Sequence, residues 1–358
     1  AKNIGKFAIG SIVFFLVGYN LAYDIPEGGF IGSLSIWTDN SNIETGYSGY
    51  SDWFYQTMFV CATVSIVSGA VAERIKIWPF FFFAAIMAGF IYPISMGWQW
   101  GGGWLSVAGF SDFAGSTLVH ACGGAAALAG VIVLGAREGR FSAKSEKQSM
   151  IPFAASSIPL VTLGTFLLWF GWFGFNGFSQ LAMGTFDDVN AIAKIAVNTH
   201  LAGAAGVVTG AVLTRLIGGK TDIIMMLNGA LAGLVAITAE PLTPTPMTAM
   251  LIGSVGSLIM YFGTKLLEHL RLDDVVGAIP VHLFAGIFGT LVVPFTNADT
   301  SFGTQFIGVV SICTFSFVFS YAVFRTMKET TGLRISKAAE KLGTDKAEIG
   351  VAAYSIRD

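Results

Sequence analysis

Residues 98–130, WQWGGGWLSVAGFSDFAGSTLVHACGGAAALAG, decide the fold. An acid, Asp112, precedes a long apolar run, and His120 lies inside that run among glycines and alanines. A titratable imidazole within an apolar segment is expensive in a bilayer, so it normally faces other helices or a cavity. Small neighbouring residues let other helices approach closely and cover it. The stretch therefore predicts a membrane helix that is screened from lipid by its neighbours.

The composition extends this prediction to the whole chain. Of 358 residues, 54% are hydrophobic and 12% are charged, whereas soluble domains carry about 25% charged residues. This excludes a soluble protein, and a net charge of −2 gives no indication of a nucleic-acid partner. Cys61, Cys122 and Cys313 all lie in apolar runs. They indicate buried apolar side chains, so no disulfide, metal or cofactor is expected.

The hydropathy pattern predicts ten membrane spans, each near the about 20 residues that a helix needs to cross a bilayer. The predicted spans are residues 4–23, 53–71, 78–96, 116–134, 151–172, 189–216, 223–238, 247–267, 275–295 and 306–324. The alternation typical of barrel strands is absent, and backbone polar groups in lipid must be satisfied internally. The prediction is an all-α polytopic membrane protein.

The charges of alternate loops predict the orientation. One set of loops and the tail carry nearly all the lysines and arginines, among them Arg74, Arg137 and Arg271, whereas the other set carries acids and a single cation, Lys194. By the positive-inside rule, both termini face the cytoplasm. The expected location is the inner, cytoplasmic membrane.

A second intramembrane histidine matches the first. His282 follows Val281 just as His120 follows Val119, and the two histidines lie five predicted spans apart. An odd offset means that the two helices run in opposite directions, which is typical of inverted-topology repeats with a site at their interface. We therefore expect two five-helix repeats around a central pore in each subunit. The first half shows only four spans, so its first helix is expected to be absent from this chain.

Four motifs now carry a resemblance to a known family. They are AERI at 72–75, DFAGSTLVH at 112–120, GWFGFN at 171–176 and DDVVGAIPVHLFAGIFG at 273–289. In this order they resemble the ammonium transporter family, Amt/Mep/Rh, most closely its bacterial Amt branch. The resemblance covers essentially the whole chain. It implies ammonium transport without covalent chemistry, so no enzyme, and it implies a homotrimer regulated by a PII-type signalling protein.

Carried over by motif, His120 and His282 resemble the twin histidines of the family's pore, where the resemblance implies a proton relay. Two neutral imidazoles can share one hydrogen bond that fixes the tautomer of each ring. The competing interpretation is a pair of histidines that only pack helices together. The resemblance further implies that ammonium is captured, deprotonated, and passes as ammonia while the proton is relayed.

The resemblance also implies an ion recruitment site and a gate. Trp100 resembles the recruitment tryptophan, whose ring face attracts a cation, and Ser179 resembles its hydroxyl partner. Phe59 and Phe175 resemble the stacked pair of phenylalanines above the histidines. Without the resemblance, Trp100 would be an interfacial aromatic residue, and the two phenylalanines would be ordinary packing residues.

Asp112 resembles the family's buried acid near the ion site, and two roles compete for it. It can stabilise ammonium electrostatically, or it can cap the helix that begins near Ser116; the capping role is the expectation. Three positions depart from the family's pattern: Phe178 replaces a small residue, Gly277 an acid and Pro280 a glycine. His200 is an additional intramembrane histidine, expected to pack and to bond a carbonyl rather than to form a second relay.

The chain divides into a transmembrane ammonium-conducting domain, residues 1–327, and a polar tail, residues 328–358. The tail resembles the cytoplasmic regulatory tail of bacterial Amt proteins and is too short for a core of its own. Two alternatives to transport stay open. One is an ammonium receptor with little flux, and the other is an electroneutral ammonia channel.

Overall fold

A computed structural model describes residues 1–39, 41, 47–141 and 153–354. In this part of the chain ten apolar helices follow one another. They are α1 Lys2–Tyr23, α2 Gly49–Ala70, α3 Ile77–Gly97, α4 Ser116–Leu134, α5 Ile158–Gln180, α6 Phe186–Gly218, α7 Ile223–Ile237, α8 Pro246–His269, α9 Ile279–Phe295 and α10 Phe302–Glu329. Eight are long and apolar enough to cross a membrane, whereas α7 and α9 are shorter. The prediction of an all-α polytopic membrane protein is confirmed.

The bounds of α4 agree with the predicted span, but those of α5 do not. The span predicted for residues 151–172 begins outside the described residues, and the helix starts at Ile158 and continues to Gln180. The Ser157 side chain accepts a hydrogen bond from the Leu160 amide, and Pro159 occupies the first turn. A capping serine followed by proline is a typical helix start. Residues 153–156 therefore belong to a connection, which hydropathy cannot distinguish from helix.

The helix α4 forms the centre of the subunit. In its most apolar window 89% of the residues are buried, against 11% in α5. It packs against α2, α9 and α10, and its small residues leave room for these neighbours. The helix that carries His120 is thus covered on nearly every side, as the sequence predicts.

One end of the bundle, here called the basic end, is held together by buried charges around Asp273. The Asp273 carboxylate accepts hydrogen bonds from Arg137 Nε at 2.8 Å and Nη2 at 3.0 Å, and Arg140 Nε lies 3.3 Å away. Arg74, which is fully buried, donates to the Asp273 backbone carbonyl at 2.7 Å. Glu73 completes the Asp273 cluster by pairing with Arg137 at 2.6 Å. The AERI motif and the DDVVG motif therefore meet in space.

These partners shift the proton affinities of the cluster. Burial alone would raise the pKa of the Asp273 carboxyl, but the hydrogen bonds and charge of Arg137 lower it below its usual value. Burial lowers the pKa of Arg74 to about 10, so this guanidinium stays cationic at neutral pH. A buried pair of this kind is strongly destabilising to break, since it leaves an uncompensated charge.

The tail is anchored to the basic end as far as residue 354, and residues 355–358 lie outside the described part. Arg334 forms an isolated antiparallel bridge with Ile75, and its side chain pairs with Glu340 at 2.7 Å. The other Glu340 oxygen accepts the Glu138 amide at 2.7 Å. Leu333 is only 2% exposed, so the polar tail carries apolar anchors of its own. Short helical segments, Lys337–Leu342 and Asp345–Ile349, follow.

Candidate functional site

The two histidines meet at the crossing of α4 and α9. Their Nδ1 atoms lie 3.1 Å apart, and the rings are nearly parallel, with centroids separated by 5.1 Å. Each histidine lies in a π-helical turn at the start of its helix, Ser116–Ala121 for His120 and Ile279–Phe284 for His282. Such turns recur at functional sites because they redirect side chains within a helix. The sequence predicts the pairing, but no signal in it indicates the π-helical turns.

Two glycines, Gly124 on α4 and Gly286 on α9, allow this crossing, and each lies against the helix that carries the other. A Cβ on Gly124 would lie 2.6 Å from the backbone nitrogen of Leu283, the residue after His282. A Cβ on Gly286 would lie 2.4 Å from the Ser116 carbonyl oxygen and 3.2 Å from the backbone nitrogen of Ala121, the residue after His120. Each glycine comes four positions after a histidine. Such an exchange of contacts is what two oppositely directed helices of an inverted repeat would show.

Of the two ring nitrogens of His120, Nδ1 is hydrogen-bonded to His282, whereas Nε2 is not hydrogen-bonded within the part of the chain that the structure describes. Its Nε2 atom is buried and has no hydrogen-bond partner among the described residues. One face of its ring stacks on Trp172 at 5.1 Å, and Trp172 Nε1 donates to Thr238 Oγ1 at 2.8 Å. Buried polar atoms are normally satisfied, so an unpaired one needs an explanation. Trp172, which the sequence reasoning missed, fixes the ring while leaving Nε2 open.

The two predicted gate residues contact one another directly above the histidine pair. The rings of Phe59 and Phe175 lie 4.1 Å apart between centroids, tilted by 40°. Phe175 is 5.3 Å from the ring of His120, and Phe59 is 5.6 Å from that of Trp100. Trp100, the two phenylalanines and the histidines thus form one continuous line of rings. Motif position alone singled out these two phenylalanines from the 31 in the chain.

Asp112 caps the start of α4. Its two carboxylate oxygens accept backbone hydrogen bonds between 2.8 and 3.0 Å long, from Gly115, Ser116, Thr117 and Leu118. The side chain is fully buried. Four amide donors occupy the lone pairs of both oxygens, so the carboxylate is engaged by backbone rather than pointing at an ion. The geometry agrees with the expected capping role.

The same residue positions Trp100. The indole Nε1 of Trp100 donates to the Asp112 backbone carbonyl at 2.9 Å. Gly115, with φ of 104°, lies beneath the indole: a Cβ there would approach the ring to 3.1 Å. Only glycine accommodates both this backbone conformation and this close approach. The turn before α4 therefore places the Trp100 ring against that of Phe59.

Ser179 has a partner that the sequence reasoning missed. Tyr55 Oη lies 2.7 Å from Ser179 Oγ and donates to the Phe175 carbonyl oxygen at 2.7 Å. The Tyr55 ring meets Phe59 edge-on at 4.7 Å. Tyr55 comes one helical turn before Phe59, and residues at this spacing share a face. This spacing is the one feature of the sequence that indicates a position of Tyr55 beside Phe59.

Of the departures from the family's pattern, Phe178 and His200 lie at the margins of this line of rings. Phe178 is 59% exposed and meets Tyr55 edge-on at 6.5 Å. His200 is exposed on α6 and contacts Trp169 and Phe173 at 5.4 and 6.2 Å. The expected bond from His200 to a carbonyl is not formed within the part of the chain that the structure describes. Nor do three histidine, cysteine or acidic side chains gather there as a metal site.

Comparison with known proteins agrees with this geometry. The sequence profile described as Ammonium Transporter Family matches residues 1–354. A putative ammonium transporter of Synechocystis is 40% identical over 357 residues, covering 98% of this chain and 80% of the relative. The ammonium transporter Amt2 of Archaeoglobus fulgidus is 37% identical over 384 residues, covering 99% of this chain and 80% of the relative.

Solved structures share the fold. A protein described as a sensor Amt protein superposes with a TM-score of 0.90 at 33% identity, over 97% of this chain and 88% of that protein. Mep2 of Candida albicans superposes with a TM-score of 0.81 at 26% identity, over 94% of this chain and 78% of its own.

Proposed function

The chain belongs to the ammonium transporter family, and from this premise we propose that it carries ammonium across a membrane by separating ammonia from its proton. The observation that supports the proposal is the line of rings that runs from Trp100 through the gate to the unpaired Nε2 of His120. It joins a surface that attracts a cation to a nitrogen that can take up a proton.

Capture is the first step. Ammonium would bind between the face of Trp100, worth about 0.5–2 kcal/mol as a cation–π contact, and the Ser179 oxygen, which can accept an N–H donor. The position of Phe59, 5.6 Å from Trp100, puts the gate directly next to this site. The captured ion would therefore lie against the phenylalanine pair.

Deprotonation avoids the cost of taking a bare cation into the lumen. Moving an ion into an apolar environment costs far more than a cation–π contact returns. Ammonia has no charge and can pass the rings of Phe59 and Phe175. Ammonium would therefore split at the gate into ammonia and a proton.

The histidine pair would carry the proton. A proton joins His120 Nε2, the proton on His120 Nδ1 crosses 3.1 Å to His282 Nδ1, and the proton on His282 Nε2 leaves. Both rings are neutral before and after, and the shared hydrogen bond is reversed. The hydrogen bond between the rings allows the starting pair of tautomers that this requires, with the hydrogen on Nδ1 of His120 and on Nε2 of His282.

The assembly and orientation are part of the same proposal. The two crossing glycines and the matched π-helical turns support inverted repeats around the pore. The charge distribution supports the inner membrane, with the basic end and the C-terminal tail in the cytoplasm. Family membership supports a homotrimer in lipid and a PII-type protein binding at the basic end, where the tail would act in regulation.

Orientation is tested with a matched pair of substitutions. Ala182 and Ala338 are both exposed, Ala182 directly after α5 in one of the loops of the acid-carrying set, and Ala338 in the tail. In a variant without native cysteines, an impermeant thiol reagent should label Ala182→Cys from outside intact cells and Ala338→Cys only after the cells are opened. Labelling of both from outside would overturn the orientation.

A second function has specific support. The protein described as a sensor Amt protein has the highest TM-score among the neighbours named above, 0.90. A receptor with this fold would bind ammonium at the same site and signal without appreciable flux. The third candidate function is a channel for neutral ammonia, in which no charge crosses the membrane.

Proteoliposomes separate the three functions. Ammonium-evoked current together with ammonium uptake supports transport with a relayed proton. Uptake without current would support the neutral channel and overturn the relay. Ammonium binding with neither current nor uptake would support the receptor. Empty liposomes and the His200→Ala variant, which changes a histidine outside the line of rings, are the controls.

A further inference from the structure

Three oxygen atoms beside the gate form a closed set, here called the oxygen triangle: Tyr55 Oη, Ser179 Oγ and the Phe175 carbonyl oxygen. The tyrosine oxygen is 2.7 Å from each of the other two, and Ser179 Oγ is 3.0 Å from the carbonyl oxygen. Two hydroxyls from α2 and the end of α5 thus converge on one backbone carbonyl. All three distances are those of hydrogen bonds.

The hydrogens of this set are all used inside it. The triangle has two hydroxyl hydrogens, one each from Tyr55 and Ser179, and the carbonyl has none. Each hydroxyl can donate to the Phe175 carbonyl, and either hydroxyl can instead donate to the other one. In each of these arrangements both hydrogens lie along edges of the triangle. Only lone pairs then face outward, so the group accepts hydrogen bonds and donates none.

The triangle lies where a captured ion would meet it. It includes the backbone of the gate residue Phe175, and the Tyr55 ring is 4.7 Å from that of Phe59. Tyr55 is half-buried, and its hydroxyl group is bonded within the triangle. An acceptor-only surface favours a ligand with N–H donors on every side, which ammonium is. It disfavours a ligand in which a methyl group replaces one of these donors.

We propose that the Tyr55 hydroxyl is a specificity-determining group of the recruitment site. The Tyr55 hydroxyl orients Ser179 as an acceptor and supplies a second acceptor oxygen. The site therefore favours ammonium over methylammonium, because ammonium has one more N–H donor. This inference rests on the proposed function, because it assumes that ammonium binds between Trp100 and Ser179. Tyr55 acts at capture and takes no part in moving the proton.

The substitution Tyr55→Phe tests the proposal, since it removes the hydroxyl and keeps the ring against Phe59. Equilibrium binding of ammonium, with methylammonium as competitor, is measured on the purified protein in the oligomeric state in which it is isolated. Losing one hydrogen bond to a charged donor should weaken ammonium binding about tenfold, with methylammonium affected less. In transport assays the concentration for half-maximal rate should rise by a similar factor, with the maximal rate changed little. Tyr50→Phe is the matched control, because Tyr50 is 62% exposed and its ring packs on Trp37.

A double-mutant cycle tests whether the triangle acts as a unit. If it does, Tyr55→Phe combined with Ser179→Ala should weaken ammonium binding little beyond the more severe single variant. Losses that simply multiply would overturn the shared role. So would an unchanged ratio of ammonium to methylammonium affinity in Tyr55→Phe.

The failure of this inference can be told from failure of the proposed function. If the wild-type protein binds no ammonium, the proposed function is wrong and this inference falls with it. If the wild type binds ammonium and Tyr55→Phe binds it equally well and equally selectively, only the role of Tyr55 is wrong. Because the readout is binding, the result holds for a transporter and a receptor alike.

Discussion

The histidine pair at the crossing of α4 and α9 and the Asp273 cluster at the basic end both lie inside the helix bundle, but their polar atoms are satisfied to different extents. In the cluster, Asp273 is bonded by Arg137 and its backbone by Arg74. At the crossing of α4 and α9, His120 shares one hydrogen bond with His282, and its second nitrogen has no partner among the described residues. A fully hydrogen-bonded network stabilises one structure, whereas a buried nitrogen without a partner can bind a ligand or a proton. The difference indicates that the Asp273 cluster holds the helices together and that the histidine pair is the candidate functional site.

The largest expected effect comes from breaking the saturated network. Asp273→Ala leaves the Arg137 guanidinium buried beside Arg140 without its main partner, which should cost about 3–5 kcal/mol of stability. Thermal unfolding of the purified protein in detergent measures the loss. Glu268→Gln is the control, because it breaks an exposed pair with Lys265 and should change little. A variant Asp273→Ala as stable as wild type would contradict the structural role of the cluster.

Acid should weaken the same network. Because the pKa of Asp273 is lowered in the folded protein, its contribution is complete above the ordinary carboxyl pKa of about 4 and is lost as the pH falls through the lowered value. The wild type should therefore lose stability over this range more steeply than Asp273→Ala. Parallel pH profiles for the two proteins would refute the assignment.

The next effect concerns the crossing of α4 and α9. Gly124→Ala and Gly286→Ala each insert a methyl against the opposite helix, so each should cost about 1–3 kcal/mol and reduce ammonium-evoked current. Because the contacts are reciprocal, the two variants should resemble one another. Gly164→Ala, where nothing lies within 4 Å of the added carbon, is the matched control. A current that survives in both crossing variants would mean that the spacing of α4 and α9 is not critical.

A smaller effect is expected at the tail. Glu340→Gln weakens the pair with Arg334 while retaining an acceptor for the Glu138 amide, so the tail should become more sensitive to protease with the membrane helices still folded. Glu329→Gln, which breaks the exposed pair with Arg325, is the control. Equal digestion of both variants would show that the Arg334–Glu340 pair does not hold the tail.

The smallest effect is expected at Phe178. Because it contacts Tyr55 edge-on at 6.5 Å, Phe178→Gly should weaken ammonium binding slightly and improve tolerance of methylammonium. Competition between the two ions at one membrane potential measures this. An unchanged ratio of apparent affinities would leave Phe178 as a packing residue.

The sequence predicts the helical fold and the residues of the site better than it predicts their surroundings. Hydropathy located α4 because an apolar run bounded by Asp112 has clear ends, but it misplaced α5, where the apolar run continues through a connection before Ser157. The histidine pair was predictable because His120 and His282 both follow a valine in apolar runs that lie five predicted spans apart. Trp172 was not, because its role arises from a contact between helices that no local pattern encodes. For Tyr55 the only signal was its position one helical turn before Phe59.

The most direct test of the account is the ammonium-evoked current of His120→Ala and His282→Ala in proteoliposomes, compared with His200→Ala. In the proposed mechanism, the shared Nδ1–Nδ1 hydrogen bond joins the two histidines into a single relay. The account predicts that both lumen variants lose the current to a similar extent, while remaining folded, and that His200→Ala keeps it. Electroneutral ammonia flux that persists without current would support the relay specifically. Wild-type current in either lumen variant would contradict it.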